Sequence, residues 1–269
     1  MILRLVSSFA ALPLFFVVIY FLPPIALPIA MALLCVLAVC ELLWQTGAVR
    51  DLRYVVSAGV FGALLPFWAY FGFAVLPLMT ALFIFAVLLF CFWLKDEKKS
   101  SFQTVCMTVF CAVIPPLALS TIVGIHQMPH GNVLIILPFI GAWITDTGAY
   151  FTGVFCGKHR LAPRISPKKT VEGAIGGVVL CVVAMLYYAY LSTTYFGLAL
   201  PYGIMAVGGL VLSVLGQVGD LSLSIIKREY TIKDYGTIMP GHGGILDRFD
   251  SVLFTAPATF LALQWMALL

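Results

Sequence analysis

The chain has 269 residues, 62% of them hydrophobic and only 10% charged, with a formal net charge of +4. A soluble domain carries about 25% charged residues, so this chain cannot cover a water-facing surface, and its solvent is lipid. The net charge is too small to indicate a nucleic-acid partner. Seven cysteines without a CxxC pair indicate neither a disulfide framework nor a zinc site.

In hydrocarbon every backbone polar group needs an internal partner, which leaves helices or a closed barrel. Barrel strands alternate apolar and polar residues over about ten positions, whereas Ile29–Cys40 and Phe83–Leu94 are continuously apolar. Helices are therefore expected. A span needs roughly 20 apolar residues, and segments near 5–22, 25–46, 54–71, 73–94, 102–124, 132–153, 173–194, 201–222 and 251–268 qualify. The fold class read from this pattern is an all-α, polytopic integral membrane protein with about nine transmembrane helices. Gly72, flanked by Tyr70, Phe71 and Phe73, predicts a tight turn that divides the long apolar block 54–94. Arg4 before an apolar run also suits a signal peptide, but no small-residue cleavage site follows, so an uncleaved first helix is expected.

Cytoplasmic connections are enriched in Lys and Arg. With a cytoplasmic N-terminus and nine spans, all 15 Lys and Arg fall on one side, and the opposite connections, including Pro23–Pro24 and His126–Asn132, hold none. The N-terminus is thus expected in the cytoplasm, and the basic loops with it.

Residues 1–140 read as transmembrane scaffold and 141–269 as the catalytic region of one continuous membrane domain, because seven of the 11 acids lie between 141 and 250. Asp146 and Asp220 sit in or at the ends of apolar segments, where a carboxylate should face a cation or water. Each alone also suits a residue reaching out from a helix end. Glu41, inside the second span, has no partner nearby in sequence.

The loop Gly157–Thr170 holds five cations and two prolines, which suits a shaped anion site. Lys168 and Lys169 would bind phosphate as point charges, and Thr170 or Ser166 would cap the following helix. A basic loop lying on anionic headgroups is the other reading. The last polar loop, Gly219–Asp250, is more specific. Ser224, Lys227 and Arg228 follow Asp220 by four, seven and eight positions, on one face of a continuing helix. Pro240, Gly241, Gly243 and Gly244 allow close backbone approach. Asp247 and Asp250 are expected to open the final helix, where negative charge is also stabilising for its own sake. His242 suits a structural or phosphate-contacting role better than metal ligation. Carboxylates with hydroxyls suit Mg²⁺, which takes one or two carboxylates together with substrate phosphates. Nearby Lys and Arg would neutralise the remaining phosphate charge.

From Ser224 to Asp250 the chain resembles the signature of the phosphatidate cytidylyltransferase (CDP-diacylglycerol synthase) family: Ser224-Ile-Ile-Lys-Arg, then Lys233-Asp-Tyr-Gly, then Met239-Pro-Gly-His-Gly-Gly-Ile-Leu-Asp-Arg-Phe-Asp250. Asp146-Thr-Gly-Ala-Tyr-Phe-Thr-Gly153 and Ser166-Pro-Lys-Lys-Thr-Val-Glu-Gly173 resemble it too, so the likeness covers the C-terminal half. Met239 departs from the usual Leu, Ile or Phe by an apolar exchange. The resemblance implies the reaction CTP + phosphatidate → CDP-diacylglycerol + pyrophosphate. It implies Asp220, Asp247 and Asp250 as metal-binding acids. It makes Lys227 and Arg248 catalytic cations beside Asp220 and Asp247. Lys168, Lys169, Ser224, Arg228, Lys233, Asp234, His242 and Asp146 would bind substrate. It further implies Mg²⁺, a second monovalent cation such as K⁺, a homodimer, and a bacterial inner (plasma) membrane location with the site facing the cytoplasm.

Three other readings compete. An ion-coupled transporter would also place acids in spans, but commonly shows broken helices in paired halves. A CTP-dependent polyprenol kinase or related lipid cytidylyltransferase shares the setting, though the C-terminal signature argues against the kinase. A CDP-alcohol phosphotransferase would need an Asp-Gly…Ala-Arg motif that the sequence lacks.

Overall fold

The structure is a computed structural model that describes residues 16–236 and 243–268. The predicted span near 5–22 lies largely outside the described residues. Two compact units interleave in sequence. The first holds Met1–Gly124 and Tyr230–Arg248, the second Ile125–Glu229 and Phe249–Leu269. Among the described residues, seven helices are long and apolar enough to cross a membrane, and Val252–Met266 is a shorter apolar helix. The protein is mostly helical and polytopic.

In the first unit, α1 (Ala26–Cys40) passes into a π turn, Glu41–Gln45, and packs on α2 (Leu52–Tyr70). Asp51 caps α2, its side chain accepting the Arg53 N–H at 3.0 Å, which satisfies one of the orphan donors of a helix start. The turn predicted at Gly72 is present: α2 ends at Tyr70 and α3 (Val75–Lys95) begins after it. Gly72 takes a φ of +96°, a conformation open to glycine without a Cβ penalty. In α3 only Phe85 and Leu89 are buried, so its remaining apolar surface suits lipid. α4 (Phe102–His126) follows.

In the second unit the sixth predicted span is interrupted. It runs as α5 (Gly131–Leu134), α6 (Leu137–Phe139), a π turn (Ile140–Ile144) and α7 (Thr145–Cys156). α7 packs tightly on α8 (Val171–Phe196), which packs in turn on α9 (Tyr202–Glu229). Glycine makes the α7–α8 approach feasible. A methyl on Gly173 or Gly177 would stand 2.6 or 2.8 Å from the carbonyl oxygens of Ala149 and Thr145. Such small-residue spacing is how helices pack closely in lipid.

The all-α expectation needs one amendment. The basic loop folds into an antiparallel hairpin of β1 (Arg160–Ala162) and β2 (Ser166–Thr170). Pro163 and Pro167 disfavour a helix there, so the backbone groups pair across the hairpin instead. Of the two expected caps, Thr170 and Ser166, Thr170 caps α8, its Oγ1 accepting the Gly173 N–H at 3.1 Å. Glu172 turns back on the hairpin, accepting the Lys158 N–H at 3.1 Å and lying 2.6 Å from His159 Nδ1. A short helix, α10 (Leu246–Phe249), and the final α11 (Val252–Leu268) close the chain.

Candidate functional site

The second unit gathers most of the predicted charges. α9 is continuous to Glu229, so Asp220 and Ser224 share a face, and Ser224 Oγ donates to Asp220 Oδ1 at 3.3 Å. Asp220 Oδ2 pairs with Lys169 Nζ at 2.5 Å. Strand geometry selects that lysine. Successive side chains on β2 point to opposite faces, so Lys169 meets Asp220 while Lys168 is exposed. Adjacent in sequence, the two lysines are not equivalent. Arg228 Nε donates to the Ile165 carbonyl at 3.0 Å, tying the end of α9 to the hairpin.

Asp250 is the buried acid of this unit, with 9% of its surface exposed. Burial, then the charges of Asp220 and Asp146, push its carboxyl up to about 8, while the Ser251 N–H and Lys227 pull it down. That N–H lies 2.8 Å from Asp250 Oδ1. Ser251 Oγ donates in turn to Asp146 Oδ2 at 3.1 Å. Burial and two neighbouring carboxylates therefore act on Asp250, which is disfavoured as an anion unless positive charge is close by. Ser251 is absent from the residues read from sequence; its only signal there is its place after Asp250, ahead of an apolar helix.

In the first unit two acids, Asp247 and Glu41, accept hydrogen bonds from backbone amides. Asp247 Oδ2 accepts the N–H groups of Tyr235 at 2.8 Å and Gly244 at 2.9 Å. Gly243, at φ +85°, has no room for a Cβ, which would lie 2.7 Å from the same oxygen. Glu41 is fully buried and accepts the N–H groups of Ile245 and Leu246. Its partners are more than 200 residues away in sequence, beyond any local pattern. Lys233, Asp234 and Arg248 are exposed. Met239, Pro240, Gly241 and His242 lie outside the described residues. The expectation that Asp247 and Asp250 open the final helix is corrected. Asp247 lies in α10 and Asp250 in the turn before α11, because a separate helical turn precedes the last span.

Among the described residues, no three or more His, Cys, Asp or Glu group together as a metal site. The donor chemistry of Asp220 and Asp250 still fits Mg²⁺, which needs only one or two protein carboxylates when phosphates and water supply the rest. The carboxyl of Asp250, raised by burial and then by the charges of Asp220 and Asp146, is the matching observation, since a nearby cation would offset both.

Apolar helices that end in facing acids, hydroxyls and cations define a polytopic membrane protein suited to phosphate chemistry. The cytidylyltransferase family profile matches residues 2–266, and the chain belongs to that family. It is 40% identical over 182 residues to the phosphatidate cytidylyltransferase of Bacillus subtilis (strain 168), covering 67% of this chain and 66% of that relative. It is 45% identical over 128 residues to the phosphatidate cytidylyltransferase of Staphylococcus aureus (strain COL), covering 48% of each chain. The namesake of Staphylococcus haemolyticus (strain JCSC1435) is 44% identical over 126 residues, 46% of each chain. The matched stretch thus spans just under two thirds of the Bacillus protein and about half of each staphylococcal one.

Proposed function

We propose that this protein is a membrane nucleotidyltransferase that converts CTP and phosphatidate to CDP-diacylglycerol and pyrophosphate. The observation that carries the reading is the Lys169–Asp220 pair beside the buried, charge-crowded Asp250, in a chain whose family transfers cytidylyl groups. A phosphate oxygen of phosphatidate attacks the α-phosphorus of CTP, and the bond from that phosphorus to the β-phosphate bridging oxygen breaks as pyrophosphate leaves. No protein nucleophile is required, so catalysis rests on positioning and charge neutralisation.

Lys169, Lys227 and Arg228 would neutralise phosphate oxygens, with Lys168, Lys233 and Arg248 as further phosphate-binding cations. Asp220, Asp247 and Asp250 are the proposed magnesium carboxylates, and Ser224, Asp146, Asp234 and His242 the remaining substrate-binding residues. When bound, Mg²⁺ would neutralise charge developing on the phosphates. We assign the site to the cytoplasmic face of a bacterial inner membrane, with nine spans and a cytoplasmic N-terminus, on the distribution of Lys and Arg. A homodimer and a monovalent cation rest on the family resemblance alone.

Purified protein given labelled CTP, Mg²⁺ and phosphatidate should release CDP-diacylglycerol and pyrophosphate in equal amounts. Cation flux through liposomes without any CTP-dependent product, across several lipid compositions, would overturn the enzyme in favour of the transporter.

A further inference from the structure

Glu41 occupies the first position of the π turn that ends α1, fully buried inside an apolar span. A carboxyl there is costly unless hydrogen-bonded. Ile245 donates its N–H to Oε1 at 2.8 Å, and Leu246 donates its N–H to Oε2 at 2.9 Å. One backbone donor meets each oxygen, an arrangement that a carboxylate satisfies and a carboxamide does not. Two glycines close the contact. A methyl on Gly236 would stand 2.8 Å from Oε1, and one on Gly244 would collide with both oxygens.

Asp247 grips the same backbone, since its Oδ2 accepts the N–H groups of Tyr235 and Gly244. The two acids therefore hold one piece of chain between them. Glu41 takes the amides of 245 and 246 and packs on 236 and 244; Asp247 takes the amides of 235 and 244. A shift of Glu41 moves the backbone to which the Asp247 carboxylate is bonded.

We propose that Glu41 is a positioning residue for the transfer reaction: it clasps the backbone beside Asp247 and thereby sets where that carboxylate stands. The proposal rests on Asp247 acting in cytidylyl transfer, as in the function proposed above.

Glu41→Gln keeps the size of the side chain and turns an NH₂ donor toward one of the two amide donors. In detergent-purified enzyme, the expected result is a fall in kcat on the order of 100-fold, the scale of a misplacement of about 1 Å in a reacting constellation. KM for CTP and phosphatidate should stay within about threefold, the pattern of an interaction used in the transition state and not in ground-state binding. The Mg²⁺ concentration for half-maximal rate should rise. Hydrogen exchange should speed up at the amides of 244–246 and remain unchanged in α2. Glu41→Asp, which keeps both acceptors on a shorter stem, should recover part of the rate. If Glu41→Gln folds poorly, Gly244→Ala presses on the same carboxyl while leaving the acid in place, and the same kinetic pattern is expected.

Unchanged exchange at 245 and 246 in Glu41→Gln would overturn the clasp. Faster exchange with kcat within about twofold of wild type would overturn the positioning role and leave Glu41 purely structural. A wild-type protein that turns over no CTP would instead overturn the proposed function and this role with it, while the exchange measurement still decides the clasp.

Discussion

Glu41 and Asp247 in the first unit are bonded to backbone amides. Asp220 and Asp250 in the second unit meet charged side chains: Lys169 pairs with Asp220, and Asp146 and Asp220 act on Asp250, which also keeps one backbone bond, from the Ser251 N–H. The side-chain chemistry is the same and the consequences differ. Backbone donors are fixed in place and uncharged, so an acid bonded to them fixes the geometry of a loop. Neighbouring charges can be replaced by those of a ligand, so an acid among them is ready to exchange partners when phosphate or a cation arrives. A buried acid is thus informative only once its partner is known.

The largest effect should come from the charge-crowded side. Asp220→Asn removes the anion that Lys169 faces, and activity should fall on the order of 100-fold or more, as when a preorganised electrostatic group is lost. Membrane insertion and helicity should be unchanged, and near-normal turnover would remove Asp220 from the proposed metal site. Asp247→Asn separates scaffold from chemistry. The amide bonds from Tyr235 and Gly244 land on one oxygen, so an Asn carbonyl can keep them. Turnover should still fall on the order of 100-fold, with exchange at Gly244 left slow. An active Asp247→Asn enzyme would make Asp247 scaffold alone and erase the distinction between its charge and its geometry. Lys169→Met comes next. It removes one charge-assisted contact, and kcat/KM for CTP should drop about tenfold. Lys168→Met should change it far less, because Lys168 does not share the contact with Asp220. Equal effects of the two would mean that the hairpin does not select between them.

How much of this is legible from sequence depends on the range of the interaction. Apolar runs specified the helices, because a span is a local property of about 20 consecutive residues. The pairing of Ser224 with Asp220 was legible because helical spacing is local, and the Thr170 cap for the same reason. The hairpin was not, since the Pro-rich basic loop lacks the alternation that marks a strand. Its absence from the reading made Lys168 and Lys169 look alike. Glu41 was legible as a problem, an acid without a local partner, but not as a solution, because its donors come from a distant loop. The break in the sixth span leaves a faint trace in Pro138 and Gly141, and apolar continuity hides it.

A carboxylate held by both kinds of partner tests the comparison at its smallest scale. Asp51 accepts the Arg53 N–H through Oδ1 and meets the guanidinium at 2.6 Å through Oδ2, and the same guanidinium reaches Asp96 at 2.7 Å. Asp51→Ala loses both kinds of partner and should destabilise by about 1 kcal/mol, the usual cost of a lost N-cap. Asp51→Asn keeps the cap and loses only the ion pair, which is partly exposed, so it should unfold within a few tenths of a kcal/mol of wild type. The guanidinium holds the Asp51 carboxyl below its ordinary 3.8. Its contribution is therefore present above that pH and is lost as pH falls through the lowered value. Thermal unfolding of the three proteins should show the wild-type margin over Asp51→Asn vanish in acid while the margin of Asn over Ala persists. If the Asn variant instead falls as far as the Ala variant at neutral pH, the charge outweighs the amide, and backbone bonding does not set the geometry at this helix start.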